Sequence, residues 1–223
     1  RRPLCGSSSR KGMDCVKIIS GQYEKGTSQQ REAFRALFGE ENTQYKFDLY
    51  FHWYNILHEL GHCVTEAQGL RTSPVKEEML VNAFAVAYWN QAGQGDRIEE
   101  LGRLLEERLA GMPAFVPENM GLVEYYESVW GEELLGDVAR YGHFQFSSVW
   151  EAVKAGRDLK SVLASMGIPL GSEMAVTGYR GEISAQNARP VLRQALADLE
   201  SLGLPPMAVQ LELVENPAVQ CAQ

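Results

Sequence analysis

The stretch KFDLYFHWYNILHELGHCVTEAQG, residues 46–69, decides how this chain is read. Its centre is HELGH, residues 58–62, which holds two of the four histidines in the 223 residues. On a helix, positions i and i+4 project in nearly the same direction, so His58 and His62 can offer imidazole nitrogens to one cation. Glu59 lies about 100° round the helix from His58, beside such an ion rather than on it. A general base that takes a proton from metal-activated water belongs at that position. With four histidines and 29 acidic residues, chance would produce a His-acid-x-x-His match only roughly 0.01 times in a chain of this length. Gly61 adds to the signal, since a glycine inside a helix costs about 1 kcal/mol against alanine and suggests that another element packs closely there.

Asp48 reads as the N-cap of this helix and Gly69 as its stop. Upstream, VKIIS (16–20) is a short β-branched strand candidate, and SQQREAFRALF (28–38) has the spacing of an amphipathic helix ended by Gly39. Downstream, a further helix starts with Ser73 as N-cap and Pro74 at the first position, and runs to the GQG at 93–95. IEELGRLLEERLAG (98–111) reads as a helix with a solvated acidic face at Glu99, Glu100, Glu106 and Glu107. Beyond a proline-containing loop at 112–121, the segments VEYYESVW, FQFSSVWEAVKAG, LKSVLASMG and PVLRQALADLESLG read as helices, and VQLELV (209–214) as a strand. The expected architecture is α+β, mostly helical, with a small β element. Residues 1–12 are expected to form a flexible tail and residues 13–223 one domain.

A formal charge of −8 argues against broad electrostatic binding to nucleic acid. No apolar run approaches the length of about 20 residues needed to span a bilayer. The four cysteines (Cys5, Cys15, Cys63 and Cys221) include no CxxC pair. They fit free thiols in a reducing, cytoplasmic compartment, with a Cys5–Cys15 or Cys5–Cys221 bridge as the alternative if the chain is secreted after loss of a signal. Cys63 adjoins His62 but points off the ligand face, as a small buried hydrophobe.

A catalytic zinc site usually takes three protein ligands. The extended pattern HExxHxxGxxH fails here, because Thr65 and Gln68 stand at its last two positions. His52, six residues before His58, lies off the ligand face. The next helix offers Glu77 and Glu78 in its first turns, where the helix dipole favours a carboxylate. Glu77 heads the row Val81, Phe84, Tyr88, which reads as core. Glu78 heads Asn82, Ala85, Trp89, whose small and polar members let another helix approach, and Asn82 could then orient a ligand. Glu78 is favoured on that ground, with Glu77 and then Glu66 as alternatives. Peptide hydrolysis also needs a donor for a developing oxyanion; of Tyr125, Tyr126, Tyr141 and His143, the sequence points first to His143.

HELGH followed by Glu78-M-L-V-Asn82-A-F-A resembles the gluzincin branch of the zincin metallopeptidases, and within it the small bacterial ImmA/IrrE-type proteins, over residues 50–90. The resemblance implies a zincin-like fold with zinc on His58, His62 and Glu78, Glu59 as catalytic base, Asn82 behind the ligands, and a peptide or protein substrate. A zinc-bearing binding or sensor domain without turnover, or a non-catalytic helical protein, are the competing expectations.

Overall fold

A computed structural model describes residues 16–169, 175–218 and 220–222. The chain opens with β1 (Val16–Gly21) and then α1 (Ser28–Phe38) and α2 (Thr43–Phe47), which passes without a break into a π-helix at Asp48–Tyr54. The helices α3 (Asn55–Ala67), α4 (Pro74–Gln91), α5 (Gly95–Ala110), α6 (Leu122–Val129), α7 (Glu132–Leu135), α8 (Val138–Ala155), α9 (Leu159–Ser165) and α10 (Ala188–Ser201) follow. Strands β2 (Val209–Val214) and β3 (Gln220–Ala222) close the described chain. The protein is therefore mostly helical with a small sheet, as composition and periodicity led us to expect. Among the described residues, no helix is long and apolar enough to cross a membrane.

The sheet order is β2-β1-β3. β1 runs parallel to β2, with Val16 opposite Val209 and Gly21 opposite Val214, and antiparallel to β3. A parallel neighbour demands a crossover, and here nearly the whole helical body supplies it. Ile18 and Leu211, opposite one another, are buried against that body.

Local signals account for most helix starts. Thr27 and Gln30 form a reciprocal capping box at α1. Ser73 caps α4 by accepting from the Lys76 amide, and Pro74 occupies the first helical position. From Val81 to Trp89 every residue of α4 is buried, on all sides of the helix, because α3, α5, α6, α8 and α9 surround it. A smaller apolar cluster of Val75, Tyr126, Leu134 and Phe144 packs α6, α7 and the start of α8 against the first turn of α4.

Three expectations need correction. Asp48 is not an N-cap: the chain is already helical at Thr43, and the buried Asp48 carboxylate instead accepts from Gln44 Nε2 at 3.0 Å and sits 2.5 Å from His52 Nδ1. The other ring nitrogen of His52, Nε2, donates to the Gly21 carbonyl at 2.9 Å, which ties the π-helix to the end of β1. Second, the helix assigned from Phe144 starts at Val138, because Asp137 caps it by accepting from the Arg140 amide at 3.0 Å and the helix runs straight through Gly142. Third, α2, α7 and β3 are too short to show a period and were not anticipated. The tail expected over residues 1–12, and either bridge from Cys5, lie outside the described residues.

Candidate metal centre

α3 and α4 cross at a point set by Gly61. A Cβ placed there would meet Val81 Cβ at 2.9 Å, Val81 Cγ1 at 3.1 Å and Phe84 Cδ1 at 3.2 Å, so only a glycine permits this approach. His58, three residues before Gly61, and His62, the residue after it, face Glu78 of α4.

The ring nitrogen Nε2 of His58 lies 3.4 Å from Glu78 Oε2, and Nε2 of His62 lies 3.6 Å from Glu78 Oε1. One donor atom from each of the three residues falls within 4.8 Å of the others, so this His-His-Glu group could hold a metal ion. The two imidazoles stand nearly perpendicular, at 85° with centroids 4.9 Å apart. Each offers its Nε2 to the shared space because its Nδ1 is engaged behind. His58 Nδ1 donates to Asn82 Oδ1 at 2.7 Å, and that oxygen also accepts from the Tyr54 hydroxyl at 2.9 Å. His62 Nδ1 donates to Glu77 Oε1 at 3.0 Å, which is also 3.0 Å from the Thr65 hydroxyl. Oxygen acceptors behind both rings orient them so that, in the neutral form, Nε2 is the nitrogen left with the lone pair, the arrangement that metal-ligating histidines need.

The charge balance points the same way. Glu59 and Glu78 are buried, and Glu77 borders them. Three carboxylates thus surround two imidazoles. Burial alone would lower the pKa of His62, but the Glu77 hydrogen bond and the charges of Glu78 and Glu59 outweigh it and raise it to about 9. In the protein alone a proton on His62 offsets the crowded carboxylates; a divalent cation would take over that role. Two imidazoles and a carboxylate make a donor set suited to zinc or a similar borderline ion.

Glu59 lies on α3 beside the triad, and its Oε1 accepts from Asn55 Nδ2 at 3.1 Å. The triad is open at one edge. The side chains of His58 and Glu78 are 6% and 8% exposed, whereas His62 and Glu77 are 23% and 30% exposed, so solvent arrives over the latter pair. On the closed side, Gln145 of α8 reaches Glu78 Oε2 at 3.5 Å and donates to the Tyr141 hydroxyl at 3.0 Å. Two surface recesses, of about 570 and 510 Å3, lie elsewhere. Lys76, Met79, Leu122 and Glu151 line the first, and Tyr45, Asp48 and Glu182 the second.

The structure thus brings together His58, His62 and Glu78, with Glu59 next to His58 on the same helix, and it separates Glu77 and Glu78 into different tasks: Glu78 faces both Nε2 atoms and Glu77 stands behind His62. It does not bring His143 to them. The Nδ1 of His143 is held by the Tyr126 hydroxyl at 2.7 Å and Ser147 Oγ at 3.2 Å, and its ring packs on Phe115. It sits two residues from Gln145, about 200° round α8, so it faces the smaller apolar cluster instead. Burial there lowers its pKa. His52 is fully engaged at β1, and Cys63 is a buried free thiol whose pKa burial pushes up to about 12. Sequence reasoning overlooked Tyr54, Thr65, Asn55 and Gln145. Asn55 could have been found, since it precedes Glu59 by one turn; the others depend on tertiary placement.

The chain matches no protein-family model, no curated protein and no solved structure.

Proposed function

We propose that this chain is a zinc-dependent metallopeptidase of gluzincin type, similar to the ImmA/IrrE proteins, with Glu59 as its general base. The observation that carries the reading is the convergence of His58 Nε2, His62 Nε2 and the Glu78 carboxylate, each imidazole backed by an oxygen acceptor. The sequence pattern HELGH with ExxxNxFA supports it independently. Bound zinc would supply Lewis-acid activation of water and of a substrate carbonyl.

The remaining work falls to the chain's own residues. Glu59 takes the proton of the attacking water and later returns it to the leaving amine. Asn55 holds Glu59 Oε1, which leaves Oε2 for that proton. Asn82 and Glu77 keep the two rings in register, and Thr65 steadies Glu77. Peptide approaches over the His62–Glu77 edge, where the site meets solvent.

The test is elemental analysis of purified protein combined with a peptide-library assay of wild type and Glu59→Gln. The expected result is about one zinc per chain in both, with turnover reduced by about 10²–10⁴-fold in the variant, the usual contribution of a general base. Protein that retains no zinc, or a Glu59→Gln variant that cleaves as fast as wild type, would overturn the proposal. Zinc retained by two equally inert proteins would favour a zinc-bearing binding or sensor module.

A further inference from the structure

Of the three residues that meet at the candidate metal centre, two are held from behind by α4 itself: Asn82 accepts from His58 Nδ1 and Glu77 from His62 Nδ1. Glu78 is held from another helix. Among the described residues, the one donor besides the two rings that reaches its carboxylate is Gln145 of α8, whose Nε2 lies 3.5 Å from Oε2. The same Nε2 donates to the Tyr141 hydroxyl at 3.0 Å. The amide nitrogen has two protons, so one faces each oxygen and the group cannot turn over without losing both contacts. α8 is itself anchored. Phe144 and Phe146, on either side of Gln145 in sequence, are buried, Asp137 caps the helix start, and the helix packs along both α4 and α5. The direction from which Gln145 arrives is thus set without help from α3.

We infer that Gln145 is the positioning residue for Glu78: it holds Oε2 and leaves Oε1, the oxygen that faces His62, as the stronger metal donor. This inference rests on the reading of the site as a zinc centre. A carboxylate free to rotate about its last bond can present either oxygen or both, and ordering it on binding costs affinity. A hydrogen bond to Oε2 engages lone pairs there and fixes the rotation before the ion arrives. Glutamine suits the task in two respects. Its amide is neutral, so Glu78 keeps the full negative charge that a lysine or arginine would offset. Its NH2 group only donates, so the end that faces Glu78 does not compete with it for a cation. Asparagine, one methylene shorter, would fall short of Oε2 from the same helix position.

The experiment titrates chelator-stripped wild type, Gln145→Met, Gln145→Asn and Glu59→Gln with zinc in competition with a chromophoric chelator. The visible spectrum of each cobalt-loaded protein, its unfolding midpoint without metal and its peptide turnover are recorded beside it. Both Gln145 variants should lose about 10–100-fold in zinc affinity, the usual effect of removing a group that orients a metal ligand. Their cobalt absorption bands should shift, because those bands report the geometry of the ligand atoms around the ion. The midpoints without metal should move little. Gln145→Asn keeps the amide and decides the matter alone if the methionine variant fails to fold. Zinc affinity and a cobalt spectrum equal to wild type overturn the inference. So does a lowered midpoint with affinity and spectrum unchanged, which would mark Gln145 as a packing residue. If Glu59→Gln matches wild type in turnover, the peptidase reading falls while the zinc and cobalt comparison still judges Gln145; if wild type takes up no zinc, both fall.

Discussion

Gly61→Ala is the sharpest mechanical test of the site. The added methyl would sit 2.9–3.2 Å from Val81 and Phe84, and the nearest atom, Val81 Cβ, is fixed to the α4 backbone and cannot swing aside. Carbon atoms prefer about 3.5–4.0 Å, so α3 and α4 must part by roughly 0.5–1 Å at their crossing. Overpacking of this kind costs about 1–3 kcal/mol, and the better helix propensity of alanine returns about 1 kcal/mol. The net loss is up to about 2 kcal/mol, or up to roughly 8 °C in Tm for a chain of this size. The same displacement separates Glu78 from the two histidines, and metal bonds tolerate only about ±0.2 Å, so zinc affinity should fall at least about tenfold. Gly142→Ala is the matched control: it also lies inside a helix, but its Cβ would meet nothing within 4 Å. That variant should gain up to about 1 kcal/mol. Thermal and urea unfolding would read stability, and competition with a chromophoric chelator would read zinc. If both variants were equally stable and held zinc equally well, the close crossing of α3 and α4 would not be what positions the ligands.

Two further outcomes follow from the same geometry. Asn82→Ala removes the acceptor shared by His58 Nδ1 and the Tyr54 hydroxyl; it should cost about 1–3 kcal/mol in urea unfolding and lower zinc affinity by about 10–100-fold, and an unaltered affinity would remove Asn82 from the metal centre. His143 should titrate below its ordinary value of 6.5, because burial disfavours its charged form. With the folded pKa depressed, the unfolded chain binds the proton more readily, so this group's contribution is intact above pH 6.5 and is lost as pH falls through the folded pKa. Histidine ring NMR would give the midpoint directly, and a value at or above 6.5 would refute the placement of His143 against the smaller apolar cluster.

What the sequence disclosed depended on how far apart the cooperating residues lie. His58, Glu59 and His62 occupy one helix, where a period of 3.6 residues fixes their relative directions, and the crossing of α3 and α4 announced itself in Gly61. Glu78 could be preferred to Glu77 because Asn82 and Ala85 continue its row. Yet no periodicity could reveal that Glu77 would stand behind His62, since that depends on the rotation of α4 against α3. His143 was singled out as the histidine left over, a chemical argument with no geometry in it; the face of α8 that meets the site carries Gln145 instead. The start of the motif helix was misread because Asp48 has the right residue type for a cap, whereas its carboxylate is engaged along the helix by Gln44 and His52.

The π-helix at Asp48–Tyr54 has a consequence for how the site could change. Its last turn closes when the Asn55 amide donates to the Tyr50 carbonyl, five residues back rather than four. Because that loop carries one residue more than an α turn, the aromatic run is out of angular phase with HELGH by about 100°. Shortening the chain by one residue between 50 and 55 would let an ordinary α turn form and leave His58, Glu59 and His62 where they are. It would also turn the preceding residues by about 100° and pull His52 from the Gly21 carbonyl. The wide turn works as a vernier between strand and motif helix: one register of the chain lets His52 reach β1 while HELGH faces α4, and the neighbouring register would undo one of the two.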